Sequence, residues 1–114
     1  MCWGEGGSDT LDVKDQIALK EAVSRHLPSY ACDLLSNDDA MTWAVLRSTG
    51  SGPTMPRFTI CRIDPCFMVM VEDQAERRFS SVATIEDAIA FTCQATVQAV
   101  LAIHNVHLPS GLMQ

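Results

Sequence analysis

The segment that begins at Thr84 restricts the possible folds of this chain more than any other. Thr84 can cap a helix start, and Glu86 and Asp87 place negative charge at the positive end of a helix dipole. The sequence then runs without Gly or Pro to Asn105, which suits a left-handed residue that ends a helix shortly before Pro109. We therefore predict a helix of about 20 residues, roughly 30 Å long.

This predicted helix is apolar around more than half of its circumference. A surface helix needs only one apolar stripe, so wider coverage predicts burial on more than one side. The large side chains suit a sheet, and the alanines allow close approach of a second helix from the same chain. Alternatively, the alanine face or the flank with Phe91 and Leu101 contacts a second molecule. The large-residue face carries Ile85, Ile89, Cys93, Val100 and Ile103, and the alanine face carries Ala88, Ala95, Ala99 and Ala102.

The rest of the chain predicts one more helix and about four strands. Residues 12–27 have helical periodicity and precede Pro28. Strand patterns follow over 41–49, 57–64, 66–73 and 77–83, separated by turn-forming residues. Residues 29–40 are compatible with a short strand or with a turn of helix. The short links favour an antiparallel meander.

The predicted fold class is therefore α+β. An antiparallel sheet of about four strands (a β-meander) has an N-terminal helix and a long C-terminal helix packed on one face. Residues 1–10, which are rich in Gly, predict a flexible tail, and residues 11–114 predict a single domain.

Strand alternation predicts which side chains the helices cover. The covered face is predicted to contain Trp43, Val45, Phe58, Ile60, Phe67, Val69 and Val71. The opposite face is predicted to carry Ala44, Leu46, Thr59, Cys61, Cys66, Met68 and Met70. Its flexible sulfur-containing side chains suit an adaptable contact surface, unless residues 29–40 or the N-terminal tail cover it.

Charge and cysteine content limit the possible partners and the compartment. The net charge is −6, and residues 79–114 contain no Lys or Arg, so the sequence lacks the basic surface that nucleic-acid binding needs. The order of elements also occurs in double-stranded RNA-binding domains, but Glu86 and Asp87 stand where those domains have lysines. The N-terminal sequence has no features of a secretion signal, and the long helix is too polar to span a membrane. We therefore expect a cytoplasmic protein whose five cysteines are reduced.

The sequence contains no motif for a catalytic, cofactor-binding or metal site. His104 and His107 form a weak metal pattern, and the spacing of Cys61 and Cys66 is not typical of zinc ligands. A possible anion patch consists of Arg57, Arg62, Arg77 and Arg78. The alternative for these arginines is ion pairing with neighbouring acids.

These observations favour a non-catalytic protein-binding module that sequesters or neutralises a protein partner as a homodimer. Small size, acidity and a broad apolar helix are also the general profile of bacterial secretion chaperones and immunity proteins. The chaperones, however, have a helix between their third and fourth strands, and none is predicted here. The alternative is a small-molecule-binding protein with an apolar pocket between the sheet and the C-terminal helix, lined by Trp43, Phe58, Phe67, Met68 and Met70. The predicted partner or ligand surface contains Leu46, Met68, Met70, Phe91, Ala95 and Leu101.

Overall fold

The chain folds into two helices and a five-stranded antiparallel sheet. The computed structural model describes residues 10–50, 55–73 and 76–107, with the backbone alone described for 103–107. The elements in chain order are α1 (Val13–His26), β1 (Tyr30–Ser36), β2 (Thr42–Ser48), β3 (Arg57–Ile63), β4 (Cys66–Glu72), β5 (Arg77–Val82) and α2 (Ile85–His107). The strands lie side by side in sequence order as a meander. The predicted α+β class and antiparallel meander are confirmed.

The fifth strand comes from the segment whose structure the sequence left open. Tyr30, Cys32 and Leu34 alternate toward the helices and contribute to the core, while Asp33 and Leu35 point to the other face. The phenol of Tyr30 donates a 2.7 Å hydrogen bond to the carbonyl oxygen of Pro56. β1 therefore forms one edge of the sheet and pairs with β2 along its whole length.

A capping box starts α1, and the residue before this region binds the sheet. The Asp12 carboxylate accepts from the backbone N–H of Asp15 at 2.8 Å, and the Asp15 carboxylate accepts from that of Asp12 at 3.1 Å. Before the helix, the hydroxyl of Thr10 accepts a 2.6 Å hydrogen bond from the backbone N–H of Thr42. Thr10 is therefore held against the sheet. The other residues of the predicted tail, 1–9, lie outside the described residues.

Among the described side chains of α2, the buried ones lie in the first half of the helix. The hydroxyl of Thr84 accepts a 3.0 Å hydrogen bond from the backbone N–H of Asp87, as predicted for the helix start. Residues from both predicted faces are buried, because α2 packs against the sheet and against α1. The buried residues are Ile85, Ala88, Ile89, Thr92 and Ala95. The predicted end at Asn105 is wrong: the helix continues to His107, since no Gly imposes a left-handed turn there.

The helices cover one face of the sheet, which we call the inner face. Its buried side chains are Ala44, Leu46, Phe58, Ile60, Phe67, Val69 and Val71. The prediction was correct for β3 and β4 and wrong for β2, where Trp43 and Val45 point away from the helices. β2 is apolar on both faces, so its own sequence does not distinguish them. The register with β3, which aligns Leu46 with Phe58 and Ala44 with Ile60, decides the orientation.

Candidate interaction surfaces

The face of the sheet that points away from the helices carries a continuous row of side chains across all five strands. In this row Asp33 aligns with Val45, Val45 with Thr59, Thr59 with Met70, and Met70 with Phe79. A second row aligns Leu35 with Trp43 and Cys61 with Met68. We call the apolar members the outer-face patch, which consists of Leu35, Trp43, Val45, Met68, Met70 and Phe79.

No described element packs over the outer-face patch. Leu35 and Phe79, near its two edges, are 45% and 62% exposed, and the side chains between them are partly exposed. β1 extends the sheet in its own plane and does not fold across it, so the alternative in which residues 29–40 cover this face is wrong. A flat apolar surface of this extent is typical of a contact site for another protein.

Three arginines lie at the end of the outer face where β2 ends and β3 and β5 begin. Arg47 forms an ion pair with Asp33. Arg57 and Arg77 both bind Glu72, with N–O distances of 2.9 and 3.1 Å. The hydrogen bond from Arg57 holds the pKa of the Glu72 carboxyl below its usual value. A single carboxylate therefore serves two guanidinium groups.

The predicted anion patch does not form as a unit. Arg57 and Arg77 lie together, and Arg78 pairs with Glu76 at 3.4 Å. Arg62 lies at the opposite end of β3 and on the inner side. There it binds Asp12, Asp15 and Asp64 at 3.2, 3.1 and 3.0 Å. Each of the four arginines pairs with an acid, which was the alternative prediction.

A second apolar surface lies on the far half of α2. Val97, Val100 and Leu101 are 58%, 39% and 56% exposed, and Val97 precedes the other two by three and four residues. At about 100° per residue, Val97 and Leu101 lie opposite the buried side of the helix. We call these three residues the α2 stripe. Between Ala88 and Ala102 this helix has no charged residue.

The predicted contact residues divide between these surfaces and the core. Met68 and Met70 lie in the outer-face patch, Leu101 lies in the α2 stripe, and Phe91 is half-buried against the core. The placement of Leu46 and Ala95 on a contact surface is wrong, because both are buried, at 0% and 8% exposed.

Four residues of the outer-face patch were not among the predicted contact residues. Trp43 and Val45 were assigned to the wrong face, β1 with Leu35 was not assigned as a strand, and Phe79 lies in the weakest strand pattern. The alternation of Phe79 with Arg78 and Ser80 by itself suggests a ring that faces the core, so the local pattern did not identify Phe79 as exposed.

The apolar pocket predicted between the sheet and α2 does not have its predicted lining. Phe58 and Phe67 are buried on the inner face, whereas Trp43, Met68 and Met70 lie on the outer face. A depression of about 390 Å³ lies on the outer face between Trp43, Val45, Arg47 and Arg57. It opens broadly to solvent, so it lacks the enclosure that small-molecule sites usually provide.

The titratable groups of the described residues do not assemble a reactive centre. Burial raises the pKa of the thiols of Cys32 and Cys93, which disfavours the nucleophilic thiolate form. No group of three or more His, Cys, Asp or Glu side chains within the described part of the chain is placed to hold a metal ion. The weak metal pattern of His104 and His107 lies outside the described side chains. Within the same ranges, no helix has the length and apolarity needed to cross a membrane.

Comparisons with known proteins do not place the chain in a family. The sequence matches no protein-family model and no curated protein, and the fold matches no solved structure.

Proposed function

We propose that this chain is a non-catalytic protein-binding module that acts as a homodimer and sequesters or neutralises another protein. The supporting observation is the pair of uncovered apolar surfaces on opposite sides of the molecule, the outer-face patch and the α2 stripe. Nine large apolar side chains among the described residues are exposed, and five of these nine belong to the two surfaces: Leu35, Phe79, Val97, Val100 and Leu101. A monomer rarely tolerates contiguous apolar areas beyond a few hundred Å².

The two surfaces differ in shape and suit different partners. The outer-face patch is broad and flat, which suits the face of another sheet. The α2 stripe is a narrow apolar ridge on a helix of about 34 Å, longer than the roughly 23 Å spanned by a seven-residue strand. A ridge of this kind suits an apolar groove in another protein, in the way that amphipathic helices dock.

Charge specifies the chemistry of the protein that would dock on the α2 stripe. The first turn of α2 carries Glu86 and Asp87, and residues 79–114 contain no Lys or Arg to balance them. The molecule as a whole carries −6. We therefore propose a partner whose apolar groove has a basic rim, since complementary charge speeds encounter and excludes acidic competitors.

The test starts from capture and ends with a measured affinity. Immobilised wild-type protein is used to retain proteins from the native host, and a retained protein is purified and titrated by calorimetry. Replacing Val97 with Glu places a charge in the stripe, so we expect at least tenfold weaker binding, because a desolvated charge without a partner is costly. Val13→Glu on α1 is the matched control, because Val13 is also an exposed valine on a helix, 67% exposed.

Several results would contradict the proposal. Equal affinity of wild-type and Val97→Glu protein would exclude the α2 stripe as the docking surface. If none of the retained proteins binds the chain after purification, the proposed sequestering function is contradicted. Turnover of a substrate by the purified chain would contradict its non-catalytic character.

A further inference from the structure

We infer that the outer-face patch packs against the same patch of a second copy of this chain, with the strands of the two sheets antiparallel. This inference rests on the proposed function and identifies the partner of one of its two surfaces. The arguments are the area of the patch, the distribution of charge along the strands, and the position of the helices.

The area of the outer face matches the requirement of a stable dimer. Five strands about 4.8 Å apart and roughly 23 Å long give a projected area of roughly 550 Å². Side chains such as those of Trp43, Met70 and Phe79 enlarge the accessible area beyond this projection. A specific interface buries about 800 Å² on each partner, which is of the same order. Two sheets stacked face to face also pack at a spacing of about 10 Å, with interdigitated side chains.

The two ends of the sheet carry different charge. At one end are Arg47, Arg57, Arg77 and Arg78, and the acids beside them are Asp33, Glu72, Asp73 and Glu76. The opposite end contains the β1–β2 turn, the β3–β4 turn and the starts of both helices. Arg62 lies there with a larger group of acids, which consists of Asp12, Asp15, Asp38, Asp39, Asp64, Glu86 and Asp87. The charges of the listed side chains therefore cancel at the arginine end, whereas the opposite end is strongly acidic.

Asp38 and Asp39 are the acids best placed to meet a second molecule. Both are exposed in the β1–β2 turn, and no ion pair joins either of them to another described residue. Their nearest strand neighbours on the outer face are Leu35 and Trp43, the apolar pair at that end of the patch. A second sheet placed on the patch would therefore also approach this turn.

These charges select one of the two possible two-fold arrangements. When the rotation axis runs parallel to the strands, the strongly acidic ends of the two copies coincide and repel each other. When the axis runs across the strands, each strand lies over the same strand of the other copy in the opposite direction. Arg47 of each copy then lies above the β1–β2 turn of the other, which carries Asp38 and Asp39. A two-fold axis produces this favourable contact twice. The second arrangement is therefore the one that the charges favour.

The position of the helices leaves this arrangement unobstructed by the described residues. α1 and α2 both pack on the inner face, so in the face-to-face dimer they form the two outer layers. The α2 stripe then remains exposed on each copy, and the dimer presents two docking ridges for another protein.

Light scattering combined with size exclusion tests the occupant of the patch. At tens of micromolar, we expect wild-type protein to have twice the 12.5 kDa mass of the chain. Met70→Glu, at the centre of the patch, should be a monomer, and so should Phe79→Glu at its edge. Circular dichroism and thermal unfolding establish that both variants are folded. Val97→Glu, on the other side of the molecule, should remain a dimer and serves as the matched control.

A charge experiment tests the antiparallel arrangement. Neutralising any acid on a molecule of charge −6 reduces general repulsion between copies, so Glu21→Gln on α1 should leave the dimer equally tight or tighter. Asp39→Asn should have the opposite effect, because it removes two cross-dimer ion pairs. We expect the dimer dissociation constant to rise roughly three- to tenfold. Raising the salt concentration should weaken the wild-type dimer more than the Asp39→Asn dimer.

The outcomes separate this inference from the proposed function. The second copy does not occupy the outer-face patch if the wild-type protein is a monomer. The same conclusion follows if the dimer persists in both Met70→Glu and Phe79→Glu. If that monomer still binds a purified host protein and loses it on Val97→Glu, the proposed docking function stands without the dimer. If the wild-type protein is a monomer and deletion of residues 1–9 converts it into a dimer, the N-terminal segment of the chain occupies the outer-face patch, and the inference is overturned. A tighter dimer with Asp39→Asn overturns the antiparallel arrangement.

Discussion

The two faces of the sheet have nearly the same proportion of apolar residues and nevertheless meet different surroundings. The inner face presents Leu46, Phe58 and Val69, which are fully buried under two helices. The outer face presents Trp43, Met70 and Phe79, which no described residue covers. The difference shows that apolarity alone does not identify the core side of a strand. What distinguishes the faces is that both helices pack on the inner face, whereas no described element packs on the outer one.

The largest expected difference between the faces lies in β3, where Phe58 and Thr59 are consecutive. Phe58 is fully buried, and its ring centroid lies 5.6 Å from that of Tyr30. Phe58→Ala should lower the free energy of unfolding by about 3–5 kcal/mol, because it leaves a cavity in the core. Thr59→Ala, on the outer face, should change it by about 0.5 kcal/mol or less. Urea unfolding at one fixed protein concentration measures both, and comparable losses would mean that the two faces are equally packed.

A smaller difference tests the corrected orientation of β2. Leu46→Ala should lower the free energy of unfolding by about 2–4 kcal/mol, since Leu46 is fully buried. Val45→Ala should cost about 1 kcal/mol or less, because Val45 is partly exposed on the outer face. Urea unfolding at the same fixed protein concentration measures both variants. A larger loss for Val45 than for Leu46 would support the orientation predicted from the sequence and contradict the structure.

A change at the start of α2 tests how firmly the helix covers the inner face. Thr84→Ala removes the side-chain cap on the backbone N–H of Asp87 and should lower the free energy of unfolding by about 1 kcal/mol. Thr84→Ser retains the hydroxyl and should be nearly neutral, so it is the control. Thermal unfolding distinguishes the two variants, and equal melting temperatures would mean that the cap is not stabilising.

The smallest expected effect concerns the arginine that connects α1 to the sheet. Arg62 binds Asp12, Asp15 and Asp64, and its guanidinium lies 5.8 Å from the centre of the Phe67 ring. Because Asp12 and Asp64 are exposed and Arg62 and Asp15 are only partly buried, Arg62→Met should cost about 1 kcal/mol or less. Arg78→Met is the control, since Arg78 makes a single exposed ion pair. High salt should reduce the difference between wild-type and Arg62→Met protein.

The same cluster predicts the direction of the pH dependence. The backbone hydrogen bond from Asp15, together with the charge of Arg62, lowers the pKa of Asp12 below its usual value of 3.8. The ionised form is therefore favoured in the folded protein, and its contribution to stability is present above that value. This contribution is lost as the pH falls through the lowered pKa. Stability curves of wild-type and Asp12→Asn protein should converge on acidification, and curves that stay parallel would contradict this assignment.

Local sequence patterns sufficed for much of this fold. The cap at Thr84, the uninterrupted run that follows it, and Pro28 after α1 each act within a few residues, so they could be recognised without the rest of the molecule. The turns around Asp64 and Pro65 delimit β3 and β4 for the same reason. The lack of charge between Ala88 and Ala102 also indicated a helix with more apolar surface than one contact can cover.

Tertiary structure alone decided which apolar face became the core. β2 has apolar residues on both sides, and a shift of one residue exchanges them, so only its pairing with β1 and β3 could place Leu46 inside and Trp43 outside. The arginine row has the same origin, because Arg57 and Arg77 meet at Glu72 through the register of three neighbouring strands. Contacts of this kind depend on the register between strands, and register follows from the packing of the whole sheet.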